Sequence, residues 1–266
     1  MNMEIRPNRL RECLQKGLPS VGARVESPWP YIAEIAASTG YFDYVEYEGE
    51  YAPHTEPDVE NVCRADEMYG VATVVKVDRQ NRFFQAQKAI ACGAHGILLA
   101  DLYTADEVRE TLDALTTSYP GGGIFGRPNR RHCMNGTGRM RMQDYRKMTD
   151  EIVKMIMIEK VDAFKNLEEI VSVPGVDMVV FGPFDYATNA GWEMDVNAKD
   201  LDAVHREIIR ISLEHGVQPC VQLDWGKDVP YYYDLGVRHF TIGDEVQMQI
   251  NYYQRECPDV MKILGK

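Results

Sequence analysis

Short apolar runs alternate with longer amphipathic stretches along the whole chain. The runs Val21–Val25, Tyr44–Tyr47, Ala72–Val77, Gly96–Leu99, Lys154–Ile158, Met178–Phe181, Pro219–Leu223 and His239–Ile242 read as eight strands. Between them, apolar residues at helical spacing predict helices over Pro30–Ser38, Asp58–Met68, Phe83–Ala91, Ala105–Leu115, Ala163–Val171, Leu201–His215 and Val229–Leu235. Gly40, Gly70, Gly93, Gly216 and Gly236 fall near helix ends, where a left-handed cap is wanted. Strands separated by helices pair in parallel, and eight such units predict a closed (β/α)8 barrel of the TIM type. Its chemistry belongs where strands end and the following loops begin. One domain over residues 1–266 is expected, with a Gly- and Arg-rich irregular insertion at about 119–145 and no internal repeat or low-complexity linker.

Composition agrees with that picture. A chain of 266 residues, 45% of them hydrophobic, suits one barrel better than two small domains. The formal net charge of −12 argues against a general nucleic-acid or anionic-membrane surface. Arg127, Arg130, Arg131, Arg139 and Arg141 make a local basic cluster, readable as a clamp for an acidic substrate, as a contact between subunits, or as a solvated loop. Cys13, Cys63, Cys92, Cys133, Cys220 and Cys257 are scattered without a paired motif, as reduced thiols in the cytoplasm would be. The first residues lack the apolar core of a signal peptide, and no run of about 18 apolar residues is available to span a bilayer. A soluble, cytoplasmic protein is expected.

Two segments carry the candidate chemistry. Met157-Ile158-Glu159 and Gly182-Pro183-Phe184-Asp185 each place a carboxylate where a buried run gives way to a loop. On neighbouring parallel strands Glu159 and Asp185 converge at one end of the sheet, a geometry suited to a hard divalent cation held by oxygen ligands and water. The plainer reading makes each a solvated strand-end acid. Other strand ends are polar too: Arg24 and Glu26, the run from Glu46 through Glu48 and Glu50 to Pro53, then Lys76 and Asp78. Charges of both signs around a cation are suited to binding an anionic oxygen substrate and stabilising an enolate.

The run Tyr44-Val45-Glu46-Tyr47-Glu48-Gly49-Glu50-Tyr51-Ala52-Pro53, then Val74-Val75-Lys76, then Ile158-Glu159 with Ala163-Phe164-Lys165-Asn166-Leu167, then Val176-Asp177 and Gly182-Pro183-Phe184-Asp185, resembles the HpcH/HpaI aldolase family in motif and in order. The similarity extends from about Pro19 to Val246. It implies a modified TIM barrel, often a hexamer with swapped C-terminal helices, that uses Mg²⁺, Mn²⁺ or Co²⁺ to make or break a carbon–carbon bond beside a pyruvate enolate. The family's metal carboxylates correspond to Glu159 and Asp185, and its acid supporting metal-bound water to Glu50. Glu48, Gly182, Pro183 and Phe184 are expected to line the substrate.

The chain also departs from the family's pattern. Where the pattern reads Asp-Gly-Glu-His-Ala-Pro, the chain has Glu48-Gly49-Glu50-Tyr51-Ala52-Pro53, so Tyr51 replaces the catalytic histidine, and the aspartate that pairs with it falls near Ala91. The pyruvate-binding arginine is Lys76, a glutamine two positions before the metal glutamate is Met157, an arginine of the Gly-rich loop is Phe125, and Arg24 stands where an aromatic is usual. Tyrosine, with an ordinary pKa of about 10, is a poor base at neutral pH but a usable donor. Lys76 supplies charge without the fork of arginine, which Arg24 is placed to restore unless it pairs with Glu26 or Glu48. His54 is the nearest substitute for the missing imidazole. These residues predict a metal-dependent carbon–carbon lyase acting on a 2-oxo acid, with Tyr51, Lys76, Glu50 and Arg24 as its altered catalytic set. The alternatives are other metal-enolate chemistry on a pyruvate-like carboxylate (decarboxylation, hydration or phospho-group rearrangement) and a non-catalytic metabolite-binding relative. The apolar residues from Val246 to Tyr253 predict a C-terminal helix packed on, or swapped with, a neighbour in a homo-oligomer.

Overall fold

The computed structural model describes residues 7–128, 130–131, 134–135, 138–139 and 141–266; His132 and Cys133 lie outside the described residues, as does the side chain of Arg139. Eight parallel strands close a barrel in chain order: β1 (Ser20–Val25), β2 (Tyr44–Tyr47), β3 (Ala72–Val77), β4 (Gly96–Leu99), β5 (Val153–Ile158), β6 (Met178–Phe181), β7 (Gln218–Leu223) and β8 (His239–Ile242), with β8 pairing back onto β1. The expected strands and the (β/α)8 architecture are therefore present. Around them run α2 (Pro30–Ser38), α3 (Glu56–Glu67), α4 (Arg82–Cys92), α5 (Ala105–Leu115), α6 (Met142–Asp150), α7 (Val161–Lys165), α8 (Leu167–Val171), α9 (Pro183–Ala190), α10 (Ala198–Glu214) and α11 (Val229–Asp234). The helix expected over Ala163–Val171 is divided at Asn166, which caps one short helix and begins the next and whose side chain donates to the Tyr103 carbonyl. The segment after β6 is not a loop: Pro183, with φ preset for a helix start, turns the strand end directly into α9.

Strand alternation sorts the side chains. Val45, Tyr47, Val75, Val77, Ile97, Leu99, Ile156, Ile158, Val179 and Phe181 face outward into the main core under the helices. Tyr44, Ala72, Val74, Leu98, Val153, Met155, Met157, Met178, Val180 and Cys220 fill the barrel itself. Gly22 is required at one point, because a Cβ there would lie 2.3 Å from the Tyr44 ring. The Tyr44 hydroxyl finds partners in Thr241 Oγ1 at 2.8 Å and the Phe240 carbonyl at 3.2 Å.

A helix absent from the sequence reading, α1 (Arg9–Lys16), closes the N-terminal end of the barrel. Leu10 is fully buried in the barrel cluster. Asn8 caps α1 and donates from its side chain to the His95 and Glu151 carbonyls, while Arg11 makes a two-pronged contact of 2.6 Å with Asp177. In the insertion, Arg131 donates to the Glu60 carbonyl and pairs with Glu67, and Arg130 pairs with Glu60, so these two members of the basic cluster fasten the insertion to α3. Among the described residues the cysteines are unpaired, and no helix is long and apolar enough to cross a membrane.

The chain ends in α12 (Glu245–Leu264), none of whose residues is buried although it carries Val246, Met248, Ile250, Tyr252, Tyr253 and Val260 on its surface. A helix this apolar is expected to rest on another copy of the chain. Truncation after Asp244 should then give smaller or aggregated species by size-exclusion chromatography with light scattering; a truncated protein with the mass of the intact assembly would count against it.

Two buried histidines predict an acid limb in stability. His205, between Phe181 and Tyr232 at ring separations of 4.9 Å, and His239, beside Ser20, are both pushed down to about 4 by burial. A depressed histidine favours the fold above its unfolded pKa of about 6.5 and loses that contribution as pH falls toward 4. Thermal unfolding without divalent cations should show a smaller drop in Tm from pH 7 to pH 5 in His205→Gln than in the parent. An equal drop would mean that His205 titrates alike in both states.

Candidate active site

At the C-terminal end of the barrel the interior changes from apolar to charged. The alternation that puts Tyr44 and Val74 inside puts Glu46, Glu48 and Lys76 inside one or two steps further along, together with Arg24, Gln222 and Thr241. Arg24 stands opposite Glu46 in the β1–β2 register. Its guanidinium reaches Glu26 at 3.2 Å and Asp244 at 3.1 Å, so it is tied to the rim by the N-cap residue of α12. The pairing is with Glu26, as expected, and with Asp244 rather than Glu48. Glu46 is buried and accepts from the Gln222 amide and, at 3.3 Å, from the Thr241 hydroxyl. Burial, only partly offset by Arg24, pushes its carboxyl up to about 7.

Lys76 is the buried cation of this mouth. Its ammonium lies 2.5 Å from Glu50 and 3.4 Å from Glu48, with all three side chains nearly inaccessible to solvent. Burial opposes its charge, yet Glu48, Glu159 and Glu50 together hold its pKa above the ordinary lysine value. Gly49 between the two acids is required by contact, since a Cβ there would meet the Lys76 carbonyl at 2.5 Å. Tyr51 is two-thirds exposed at the lip, its ring centroid 5.3 Å from the Lys76 ammonium. Partial burial and the charges of Glu50 and Asp185 hold its phenol above the ordinary value, so it remains protonated at neutral pH.

Glu159 follows β5 and is buried; Asp185 lies in the first turn of α9, after β6, with its side chain 42% exposed. The strands that carry them are hydrogen-bonded neighbours. A Cβ on Gly182 would stand 2.8 Å from the Glu159 Cβ and 3.0 Å from its Oε2, so only glycine lets this carboxylate lie against the start of α9. Burial pushes Glu159 up to about 8 in spite of Lys76. A buried carboxylate, a second one on the next strand and a clearance kept by glycine fit a hard divalent cation. Among the described residues no group of three or more His, Cys, Asp or Glu side chains forms a metal-holding cluster, so such an ion would complete its shell from substrate and water.

Besides Gln222, Thr241 and Asp244, two charged residues beside Glu159 were missed by the sequence reading. Asp101, two residues past β4, donates its backbone N–H to Glu159 Oε1 at 3.0 Å and has φ +57°, the only non-glycine with positive φ among the described residues. Lys160 sets its ammonium 2.8 Å from Asp101 and 3.6 Å from Asp185. Asp101 is an acid directly after an apolar run, the signal that picked out Glu159, and the same rule applied to β4 would have found it.

Three sequence expectations lie at the edge of this arrangement or beyond it. Phe184 is mostly exposed at the lip, with Pro183 beside it at the start of α9. His54 packs edge-on to Tyr47 at 5.5 Å, bonds the Ala52 carbonyl and lines a cavity of about 170 Å³ with Gly49, Val75, Lys76, Phe84 and Cys92, on the α4 side of β3. Ala91 lines a separate cavity with Gln87, Phe125 and Arg130, to which Tyr51 does not contribute.

Comparison with known proteins agrees with this geometry. Residues 24–223 match the family described as HpcH/HpaI aldolase/citrate lyase. The 2-keto-3-deoxy-L-rhamnonate aldolase of Klebsiella pneumoniae is 31% identical over 208 residues, 76% of this chain and 74% of that one. The hydroxypyruvate/pyruvate aldolase of Delftia acidovorans is 26% identical over 247 residues, 92% and 90% of the two chains. Among solved structures, an HpcH/HpaI aldolase from Desulfitobacterium hafniense superposes with a TM-score of 0.83 at 22% identity, covering 95% of this chain and 96% of that one. Sequence match, barrel and strand-end carboxylates together make this chain a member of the HpcH/HpaI aldolase/citrate lyase family.

Proposed function

We propose that this protein is a divalent-metal-dependent carbon–carbon lyase that acts on a 2-oxo acid through an enolate. The observation that carries the reading is the buried Glu159 carboxylate seated against Gly182 one strand from Asp185, at the catalytic end of a closed barrel. The aldolase names of its relatives support the reaction class. Glu159 and Asp185 would hold Mg²⁺ or Mn²⁺, which when bound acts as a Lewis acid on the 2-oxo and carboxylate oxygens.

The chain's own residues supply the rest. Lys76, kept charged by Glu48 and Glu50, presents a fixed positive centre to the oxygen on which negative charge develops, and burial strengthens that attraction. Tyr51, protonated and exposed beside it, donates to the same region rather than abstracting a proton. Glu50, whose carboxyl burial raises above its ordinary value despite Lys76, is the group at the lip suited to take and return a proton. Arg24, occupied by Glu26 and Asp244, holds the rim and offers a further cation to an anionic substrate. Gly182, Pro183 and Phe184 border the substrate at the start of α9, opposite Glu48. Among the described residues the unpaired, mostly buried cysteines support a reducing compartment such as the cytoplasm.

Replacing Glu159 or Asp185 with alanine should abolish Mn²⁺ binding by calorimetry while the fold persists, and unchanged affinity in both variants would sink the metal assignment. Exchange of the pyruvate methyl protons in Mn²⁺ and deuterium oxide, followed by NMR, tests the proton path. Glu50→Gln should slow it by about 10²- to 10⁴-fold, the usual contribution of acid–base catalysis. Tyr51→Phe should slow it less, and the reverse ranking would make Tyr51 the base.

A further inference from the structure

Beside the two candidate metal carboxylates the chain carries an ion pair of its own, Asp101 with Lys160. Lys160 is the residue after Glu159, so the backbone that delivers the buried carboxylate also delivers an ammonium to the same place. That ammonium has two acceptors within ion-pair range, Asp101 at 2.8 Å and Asp185 at 3.6 Å, and is mostly buried between them. A cation seeking Asp185 therefore meets a competitor that belongs to the protein. Asp101 settles the competition, because its shorter contact draws the ammonium to the β4 side. It also fixes Glu159 through its backbone N–H, at 3.0 Å. Asp101 makes both contacts from a left-handed backbone, φ +57°, a conformation costly for most residues and one that tends to persist where surrounding structure demands it.

We propose that Asp101 is a positioning residue of the metal centre: it parks Lys160 away from Asp185 and orients Glu159, so that both carboxylates are open to a divalent cation. The inference rests on the reading of Glu159 and Asp185 as metal ligands. Lys160 then acts as a brake on metal affinity, and Asp101 as the group that releases it. Asparagine tolerates the left-handed backbone and keeps the N–H, so Asp101→Asn removes the parking carboxylate alone.

The test is a double-mutant cycle read by calorimetric titration with Mn²⁺, with circular dichroism to confirm the fold. Asp101→Asn should weaken Mn²⁺ binding by about tenfold, in the range for partners that orient metal ligands. Lys160→Met should tighten it. In the Lys160→Met background, Asp101→Asn should cost less than about threefold, because the ammonium it controls is gone. An undiminished loss in that background would make Asp101 a ligand or a plain source of negative field and overturn the proposal. Affinities unmoved by both single changes would overturn it as well, with the metal centre intact. No Mn²⁺ binding by the parent protein would instead overturn the metal reading and this inference together.

Discussion

A lysine buried in a barrel has to be matched by charge, and the mouth of this protein is organised around that requirement. Removing an ammonium from water costs several kcal/mol unless close partners compensate. Lys76 has two, Glu48 and Glu50, which come from a single turn after β2 and are brought to it because Gly49 lets that turn lie on the β3 backbone. Once the three are fixed, the remaining polar groups have little freedom. Glu46 turns to Gln222 and Thr241, Arg24 turns outward to Glu26 and Asp244, and Glu159 is left with a backbone donor and a long-range cation. Several strands thus contribute charge at this end, above an interior that is otherwise apolar.

That arrangement bears on which groups at the mouth carry protons. Burial and the charges of Glu50 and Asp185, only partly offset by Lys76, keep the proton on Tyr51. His54 stands edge-on to Tyr47 and bonds the Ala52 carbonyl, in a cavity it shares with Gly49 and Lys76. Carboxylates are the groups present in quantity, and burial pushes several of them, Glu46, Glu50 and Glu159, toward the range where a carboxyl keeps its proton.

Most of the barrel was legible because its strands are short apolar runs between glycine-capped helices, a local signal that needs no knowledge of distant contacts. What escaped is non-local. The helix α1 is short and mostly polar; Leu10 and Arg11 acquire meaning only when strands β5 and β6 arrive beside them. The helix α9 was hidden because Gly-Pro reads as a turn until a strand is seen to run straight into it. At the site, acids following apolar runs were visible, whereas Gln222 and Thr241 gained roles only through barrel closure. The pairing of Lys160 with Asp101 joins two strand ends about sixty residues apart along the chain, and nothing in the local pattern of either announces it.

The fork of Arg11 at the opposite end of the barrel governs more than the stability of that end. Its guanidinium holds Asp177, whose other contact is the backbone N–H of Lys154, and it also grips the Ile152 and Glu151 carbonyls. Those atoms are the entry points of β5 and β6, the two strands that end in Glu159 and Asp185. With their lower ends locked in register, the strands deliver the carboxylates at a height set by counting residues, and a slip of one would turn a mouth-facing acid toward the helices. The loops of the mouth are thereby free to vary, while a clamp at the far end of the barrel keeps the two acids level.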